Sequence, residues 1–195
     1  MKCSLRMALG LLAFGLVSLQ SVSGMSAQGG WTSLFDGANL DNFTPIGDAN
    51  WEVADGAVGA DSGGGFLVTK ESYDDFELTL EFWVDEPANS GIFIRCADPS
   101  SVNDRNSYEV NIYDTRADQT YRTGGIVHIA APNSVIMSDG KWNSYEIKAQ
   151  GSRLMVTLNG EEMVDVEDSQ FANGPIALQY GAGIVKFRNV RIRGL

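Results

Sequence analysis

The chain is 195 residues long, with 44% hydrophobic and 20% charged residues, enough for one domain with a sizeable core but not comfortably for two. It carries 14 Lys and Arg against 25 Asp and Glu, a formal net charge of −11 at pH 7. Such a surface repels phosphate backbones and anionic lipid. Nucleic acid and membrane surfaces are therefore poor partners, and neutral or cationic small molecules fit better.

The amino-terminal segment shows the pattern of a secretory signal. Lys2 and Arg6 supply a basic start, and residues 7–19 form an apolar run of 13 residues that is followed by small residues. That run is too short to span a bilayer easily, although a buried or membrane-anchoring helix is the alternative. We therefore expect a signal peptide over residues 1–27, cleaved on export, and one domain over residues 28–195 with no membrane partner.

The rest of the chain reads as a series of short strands separated by turn signals. Residues 75–84 alternate most cleanly, and Asn159-Gly160 is a strong hairpin signal. Further strands are predicted at residues 51–60, with a turn at 54–56, and at 66–69, 125–130, 143–149, 153–158, 175–180 and 185–192. No stretch of ten or more residues after the signal shows convincing helical periodicity. These patterns predict an all-β fold, a two-sheet antiparallel sandwich.

Two neighbouring segments, NSGIFIRC at 89–96 and SYEVNIYD at 107–114, are the most informative part of the chain. If they pair so that apolar residues meet, Ile94 faces Val110 and Arg95 faces Glu109, whereas a slip of two residues keeps the faces and changes the partners. In either register one side of the sheet carries charge, amide and aromatic groups, from Phe93, Arg95, Glu109, Asn111 and Tyr113. That mixture suits a sugar better than a dry core.

Nine motifs follow one another along the chain. They are GWTSLFDG at 30–37, WEVADGAV at 51–58, DFELTLEF at 75–82, NSGIFIR at 89–95, YEVNIYD at 108–114, TGG at 123–125, KWNSYEI at 141–147, LNG at 158–160, and GPIALQ followed by FRNVRI at 174–192. In this order they resemble one known family, the 3-keto-disaccharide hydrolase domain family. No single motif is decisive, but together they run from Gly30 to the end of the chain. The resemblance implies a concanavalin-like jelly roll, export in a bacterium, and action on the glycosidic bonds of oxidised sugars, the 3-keto-glycosides.

The implied chemistry has a definite physical requirement. A ketone at carbon 3 acidifies the hydrogen on carbon 2, and the glycosidic oxygen on carbon 1 can leave once an enolate forms. One base and one group that stabilises the enolate oxygen then suffice. Glu109 and Asp114 are roughly 16 Å apart if both lie on one strand, too far for the carboxylate pair of ordinary glycosidases. Elimination followed by hydration is therefore favoured over hydrolysis by direct displacement.

Three residues are the catalytic candidates on this view. Glu109 is the base or an acceptor for a sugar hydroxyl, and Arg95 orients it or faces the enolate oxygen; the alternative is a cross-strand ion pair that serves the sheet alone. His128, the only histidine, is an acid, base or metal ligand, or else a hydrogen-bonded structural residue. Asp114 binds a divalent cation or a sugar hydroxyl, or is simply a turn residue. No cluster has recognisable metal-ligand spacing, so a divalent cation is the one cofactor considered, with His128 and Asp114 as candidate ligands and no complete ligand set assigned.

Four further residues are substrate-binding candidates, beside Asp114. Trp83 and Tyr113 lie on polar strand faces and could stack on a sugar ring or pack at a sheet edge. Asn111 stands where many family members carry glutamine, and Gln179 is followed by TyrGlyAla instead of the histidine that many members carry nearby. Trp142 begins a predicted strand in an apolar context and is assigned to the core.

Two classes of function follow from the same polar face. The first is a secreted or periplasmic enzyme acting on 3-keto-glycosides, by hydrolysis or by elimination with hydration, with a small oxidised saccharide as its partner. The second is a non-catalytic, lectin-like carbohydrate-binding module, because one fold can serve either function. No feature of the sequence indicates an oligomeric state.

Overall fold

The computed structural model describes Met1 and residues 30–195. The predicted signal peptide lies outside these residues except for Met1. Within the described part of the chain, no helix is long and apolar enough to cross a membrane. The one helical element in that part is a short 3-10 turn, Gln119–Tyr121.

The described chain contains thirteen strands. In chain order they are β1 (Thr32–Phe35), β2 (Phe43–Gly47), β3 (Glu52–Ala54), β4 (Ala57–Ala60), β5 (Gly65–Thr69), β6 (Phe76–Val84), β7 (Ser90–Ile94), β8 (Tyr108–Ile112), β9 (Trp142–Gln150), β10 (Arg153–Leu158), β11 (Glu161–Glu167), β12 (Ala177–Tyr180) and β13 (Val185–Gly194). They form two sheets in which every pairing between these strands is antiparallel. The predicted all-β, two-sheet antiparallel jelly-roll sandwich is confirmed.

The two sheets differ in size. The larger has eight strands in the order β11-β10-β9-β6-β13-β4-β3, with β1 paired to β13 beside this path, and the smaller has five in the order β2-β5-β12-β7-β8. The alternation of β6 shows how they stack, because Phe76, Leu78, Leu80, Phe82 and Val84 are buried while the residues between them are half-buried. Apolar residues from the inner faces of both sheets form one continuous core, which leaves each sheet a separate outer face.

Turn chemistry explains two of the tightest connections. Asp55 and Gly56 have φ angles of 52° and 75°, and Asn159 and Gly160 have 53° and 82°. Two successive residues at positive φ are the signature of the two-residue hairpin turn, which Asp-Gly and Asn-Gly accept at little cost. Both hairpins predicted from the sequence are therefore confirmed.

Other elements differ from prediction. Strands β1, β2 and β11 were not anticipated. Residues 125–130 do not form a strand, because Ile126 makes isolated bridges to Val110 and Ala130 and the chain turns between them, with His128 at a φ angle of 66°. A histidine at positive φ interrupts the extended backbone that the apolar alternation suggested.

One buried tyrosine ties the two sheets together. Tyr145 of β9 is fully buried, donates a hydrogen bond of 2.7 Å from its hydroxyl to the Asn111 carbonyl of β8, and accepts one of 2.8 Å from the Gly124 amide. Burial raises the pKa of this hydroxyl, so it stays protonated and donates. The large sheet thereby supports β8 from beneath, at the position where β8 carries polar residues on its outer face.

Candidate functional site

The polar face identified from the sequence is the outer face of the five-stranded sheet. Strands β7 and β8 pair with Phe93 opposite Glu109, Gly91 opposite Asn111, and Ile92 opposite Val110. The preferred register, with Ile94 opposite Val110, is therefore wrong, and the alternative slipped by two residues is correct. Both registers keep Glu109 and Asn111 on the outer face, because the side-chain period of a strand is two.

Arg95 does not lie on this face, contrary to the prediction. β7 ends at Ile94, and Arg95 itself adopts a left-handed conformation with a φ angle of 53°. That conformation breaks the strand alternation. The next residue, Cys96, packs with Phe93 and Val68 in the small apolar cluster of the outer face instead of joining the main core.

The Arg95 guanidinium is a buried structural centre, 1% exposed. It donates hydrogen bonds to the carbonyls of Asp74, at 2.7 and 2.9 Å, of Gly151, at 2.7 Å, and of Phe171, at 3.2 Å. A bond of 3.1 Å to Asp75 Oδ1 completes the set. The predicted Arg95–Glu109 pair is thus absent, and the guanidinium holds three chain segments together.

Glu109 is the central residue of the outer face. Its side chain is 8% exposed and passes over Gly91, since a Cβ placed on Gly91 would lie 3.2 Å from Glu109 Oε1 and 3.3 Å from the Phe93 ring. No donor in the described part of the chain bonds to this carboxylate. Burial raises the pKa of Glu109 to about 7, with a smaller contribution from the negative charge of Asp104 and an opposing one from Arg116. A carboxyl group with this pKa can hold or release a proton near neutral pH.

Asp104 and Arg116 were not anticipated as site residues. Both lie in the loops that flank β8, and both act electrostatically on Glu109. The two residues have no strand parity and no motif spacing relative to Glu109. The only signal in the sequence is that their loops flank the predicted strand on either side, and this signal does not single them out.

His128 lies at the rim of the same face and is paired with Asp104. The distance from His128 Nε2 to Asp104 Oδ2 is 2.8 Å, with both side chains partly exposed, and the Tyr121 ring packs edge-on to the imidazole at 5.8 Å. The adjacent Val127 donates a hydrogen bond of 3.0 Å from its amide to the Glu109 carbonyl. The structure therefore brings His128 to the strand that carries Glu109, with Asp104 linked to both residues.

The polar residues that follow Glu109 in β8 have mainly structural contacts. Asn111 is fully buried and donates from Nδ2 to the Tyr121 carbonyl, while its Oδ1 has no hydrogen-bond partner among the described residues. Tyr113 is half-buried, and its amide donates to Thr123 Oγ1 at 2.8 Å. Asn111 thus anchors the loop that carries the 3-10 turn and, through it, the Tyr121 ring beside His128.

Asp114 is the centre of a buried loop contact. It is 7% exposed and accepts bonds from the Ser138 amide at 2.6 Å and the Ser138 hydroxyl at 3.0 Å, and Arg122 lies 3.7 Å away. These partners fit the turn-residue alternative. Among the residues described, no group of three or more His, Cys, Asp or Glu side chains could hold a metal ion.

Gln179 and Trp83 lie on different sheets. Gln179 of β12 is half-buried opposite Phe66 on the outer face that carries Glu109, and its Oε1 is buried without a hydrogen-bond partner in the described part of the chain. Phe66 packs edge-to-face with Phe93 at 5.2 Å, so an apolar surface adjoins the acidic part. Trp83 is on the outer face of the eight-stranded sheet, opposite Lys186 and Trp142. It does not share a face with Glu109, because the whole core separates the two outer faces, and its role in sugar binding stays a prediction. The assignment of Trp142 to the core is wrong, because its side chain is half-buried on this outer face.

The two packed antiparallel sheets define a jelly-roll protein of the concanavalin-like class, with a perturbed carboxyl group on one outer face. The model of the 3-keto-alpha-glucoside-1,2-lyase-like domain matches residues 30–193. The chain belongs to that family, as the resemblance in the sequence implied.

Solved structures support the fold. Two proteins of Parabacteroides distasonis, each provisionally described as a glycosyl hydrolase, superpose with TM-scores of 0.77 and 0.72 at 20% and 28% identity; the matches cover 85% and 86% of this chain and 94% and 100% of theirs. A carbohydrate-binding module of Bacillus subtilis superposes with a TM-score of 0.62 at 19% identity, over 78% of this chain and 96% of that one. No curated protein matches the sequence. The family match and the neighbour at 28% identity indicate a carbohydrate-related function, whereas the neighbours at 20% and 19% identity support the fold alone.

Proposed function

We propose that this protein is an exported enzyme that cleaves the glycosidic bond of 3-keto-glycosides by elimination, followed by hydration. The single observation that carries the proposal is the Glu109 carboxyl group, 8% exposed, over the bare backbone of Gly91, with a pKa raised to about 7. The family supplies the substrate class, and the amino-terminal sequence pattern supplies the export.

In the proposed first step, the Glu109 carboxylate removes the proton from carbon 2 of the sugar. The electron pair of the carbon–hydrogen bond passes to the carbon 3 ketone and forms an enolate. Partial burial helps this step, because a poorly solvated carboxylate with no hydrogen-bond donor is a stronger base than one in water. The pKa near 7 leaves a large fraction of the group ionised at neutral pH.

In the second step, the enolate re-forms its ketone, a double bond forms between carbons 1 and 2, and the bond from carbon 1 to the glycosidic oxygen breaks. The leaving oxygen needs a proton, and the proposed donor is His128, oriented by Asp104 at 2.8 Å. Arg116, whose charge already acts on Glu109, replaces Arg95 as the proposed cation for the enolate. Addition of water across the double bond then returns a proton to carbon 2 and gives the free 3-keto sugar.

The rest of the outer face provides binding groups. Gln179 has a buried amide oxygen without a partner in the described chain, which a sugar hydroxyl would satisfy. The half-buried Phe66 ring offers an apolar surface next to it for the carbon–hydrogen face of a sugar or an aglycone. Asn111, Tyr113 and Asp114 support the rim through backbone and loop contacts.

The test is turnover. Purified protein is incubated with a panel of 3-keto-glucosides, with and without a chelator, and release of the aglycone is followed. The proposal expects release by the wild type, loss of at least about a hundredfold in Glu109→Gln, and no comparable loss in Glu161→Gln, an exposed glutamate at the start of β11. Release that continues unchanged in Glu109→Gln would remove Glu109 from the reaction. The chelator arm establishes whether a divalent cation is required.

A saccharide-binding module without turnover is the second candidate. The observation that favours it is the departure from the family pattern after Gln179, where Tyr180 and Gly181 stand in place of the histidine region of many members. On this alternative no panel member is cleaved, but saccharides bind to the outer face of the five-stranded sheet, and Phe66→Ala weakens binding while Glu109→Gln does not.

A further inference from the structure

A hollow on the outer face of the eight-stranded sheet has no part in the site proposed above. Its volume is about 370 Å³, and it lies across β3, β4 and β13, with Trp142 of β9 at one side. The whole sandwich core separates it from Glu109. It has the size of a small-molecule site, for which volumes of about 300–1,000 Å³ are usual.

Strand register explains why a hollow forms there. Gly59 of β4 pairs with Glu52 on one side and with Lys186 on the other, and Ala54 pairs with Ala57. The floor therefore consists of very short side chains between two strands that carry long ones. Gly59 cannot readily be replaced, because an added Cβ would lie 3.0 Å from the Val185 carbonyl oxygen and 3.1 Å from Lys186 Cγ.

One wall is aromatic and cationic, and its groups are held in place. The Arg188 guanidinium lies 4.0 Å from the centre of the Trp142 ring and donates from Nε to Glu81 Oε2 at 2.8 Å. Lys186 Nζ lies 5.3 Å above the Trp83 ring, and Trp83 is the strand partner of Trp142. Stacking and hydrogen bonding thus fix the indole and the Arg188 guanidinium before any ligand arrives, which lowers the entropic cost of binding.

The other wall is acidic. Glu52 and Asp61 line it, and Glu52 lies across Gly59 from Lys186 in the strand register. An anionic ligand would meet these carboxylates on a chain with a net charge of −11. An apolar ligand would strip water from the five charged groups of the lining, which include Asp55, without replacing its hydrogen bonds. A neutral polyol satisfies both walls, since each hydroxyl can donate to a carboxylate and accept from a cation, while the indole packs against a ring face.

We propose that this hollow is a second, non-catalytic saccharide site, which binds a neutral, unoxidised sugar unit independently of the Glu109 face. This site has two walls, one formed by Trp142, Lys186 and Arg188 and the other by Glu52 and Asp61. It would retain the protein on a glycan without taking part in bond cleavage.

The test is a nuclear magnetic resonance titration of the Glu109→Gln protein with trehalose and cellobiose, with glucose 6-phosphate as the anionic arm. We expect the neutral disaccharides to shift the Gly59 and Lys186 amide signals and the Trp142 indole signal, with dissociation constants of about 0.1–10 mM. Trp142→Ala and Lys186→Gln are expected to weaken binding about tenfold or more, whereas Trp31→Ala, an exposed tryptophan outside this hollow, is not.

Each other outcome overturns the inference. Shifts produced only by glucose 6-phosphate would mean an anion site, and shifts confined to β7, β8 and β12 would mean that sugars bind only at the Glu109 face. Absence of shifts at the hollow in the folded protein would remove the site. Because the readout is binding by a variant without the proposed base, it is independent of whether 3-keto-glycosides are cleaved; turnover by wild-type protein tests that separately.

Discussion

Gly91 of β7 lies directly beneath the carboxylate of Glu109 of β8. A Cβ on residue 91 would approach Glu109 Cγ to 3.1 Å and Oε1 to 3.2 Å. The glycine is therefore what allows a glutamate side chain to lie flat across the neighbouring strand, beside the Phe93 ring. The position of the Glu109 carboxylate therefore depends on the absence of a side chain at Gly91 as well as on Glu109 itself.

Gly91→Ala is accordingly expected to displace the Glu109 carboxylate without unfolding the sheet. Gly91 does not have a positive φ angle, so an alanine meets a steric conflict with the side chain but no backbone strain. A shift of a few tenths of an ångström to one ångström at a reacting group can cost about ten- to a hundredfold in kcat. Turnover of a 3-keto-glucoside and the melting temperature are the measurements. Gly194→Ala, which has open space around its Cβ, is the control; equal activity in the two variants would contradict this view of Gly91.

Glu109→Gln is expected to stabilise the fold in a manner that depends on pH. The folded-state pKa is about 7 against an ordinary value of 4.5, so the folded protein binds the proton more tightly than the unfolded chain does. Wild-type stability therefore falls as pH rises from about 4.5 to about 7, by roughly 3 kcal/mol at most. The uncharged glutamine avoids this loss. Its advantage in urea unfolding should be near zero at low pH and greatest above pH 7, and an advantage that does not vary with pH would contradict the burial argument.

Asp104 and Arg116 are expected to move the pH profile in opposite directions. Asp104 raises the pKa of Glu109 and Arg116 lowers it. If ionised Glu109 is the base, the acidic limb of kcat/KM shifts to lower pH in Asp104→Asn and to higher pH in Arg116→Gln. Both variants should also turn over more slowly. Asp104→Asn removes the carboxylate that orients His128, and Arg116→Gln removes the proposed cation for the enolate. Shifts in the same direction, or no shifts, would mean that the acidic limb of kcat/KM does not report the ionisation of Glu109.

Arg95 is expected to matter for stability and not for the ionisation of Glu109. Arg95→Met leaves the carbonyls of Asp74, Gly151 and Phe171 without their donor, which should cost at least about 3 kcal/mol of unfolding free energy. Arg153→Met, which removes an exposed pair with Asp165, is the control and should have little effect. In folded Arg95→Met at low temperature the acidic limb should stay where it is in wild type. A displaced acidic limb would contradict this view and would support the predicted Arg95–Glu109 pair.

Much of the fold could be predicted because its information is local. The alternation in β6 and the Asp55-Gly56 and Asn159-Gly160 turns each depend on a few consecutive residues and on simple steric rules. The family resemblance was also confirmed. Glu109 and Asn111 lie on the outer face as predicted, since a register slip of two residues does not change the face on which a side chain lies. β11 was missed although the Asn159-Gly160 turn itself calls for a strand on each side.

The errors at the site have a different origin. Arg95 and His128 both have positive φ angles, which are uncommon for such residues and leave no mark in the hydrophobic pattern. Each breaks a predicted alternation, so the first leaves the outer face and the second moves to its rim. Asp104 reaches the site through a loop. The path of that loop depends on tertiary contacts, and the alternation of side chains along a strand gives no information about them. Trp83 lies on a polar outer face as predicted, but alternation along one strand could not show that this face belongs to a different sheet from that of Glu109.

The most direct test of the central claim is to run the reaction in deuterium oxide and examine carbon 2 of the product. If Glu109 removes the carbon 2 proton and elimination and hydration follow, the released 3-keto-glucose carries deuterium at carbon 2. Glu109→Gln is expected to abolish this deuterium incorporation. A control without protein is expected to incorporate deuterium more slowly than the wild-type reaction. Release of the aglycone with hydrogen retained at carbon 2, or deuterium incorporation that persists in Glu109→Gln, would contradict the account.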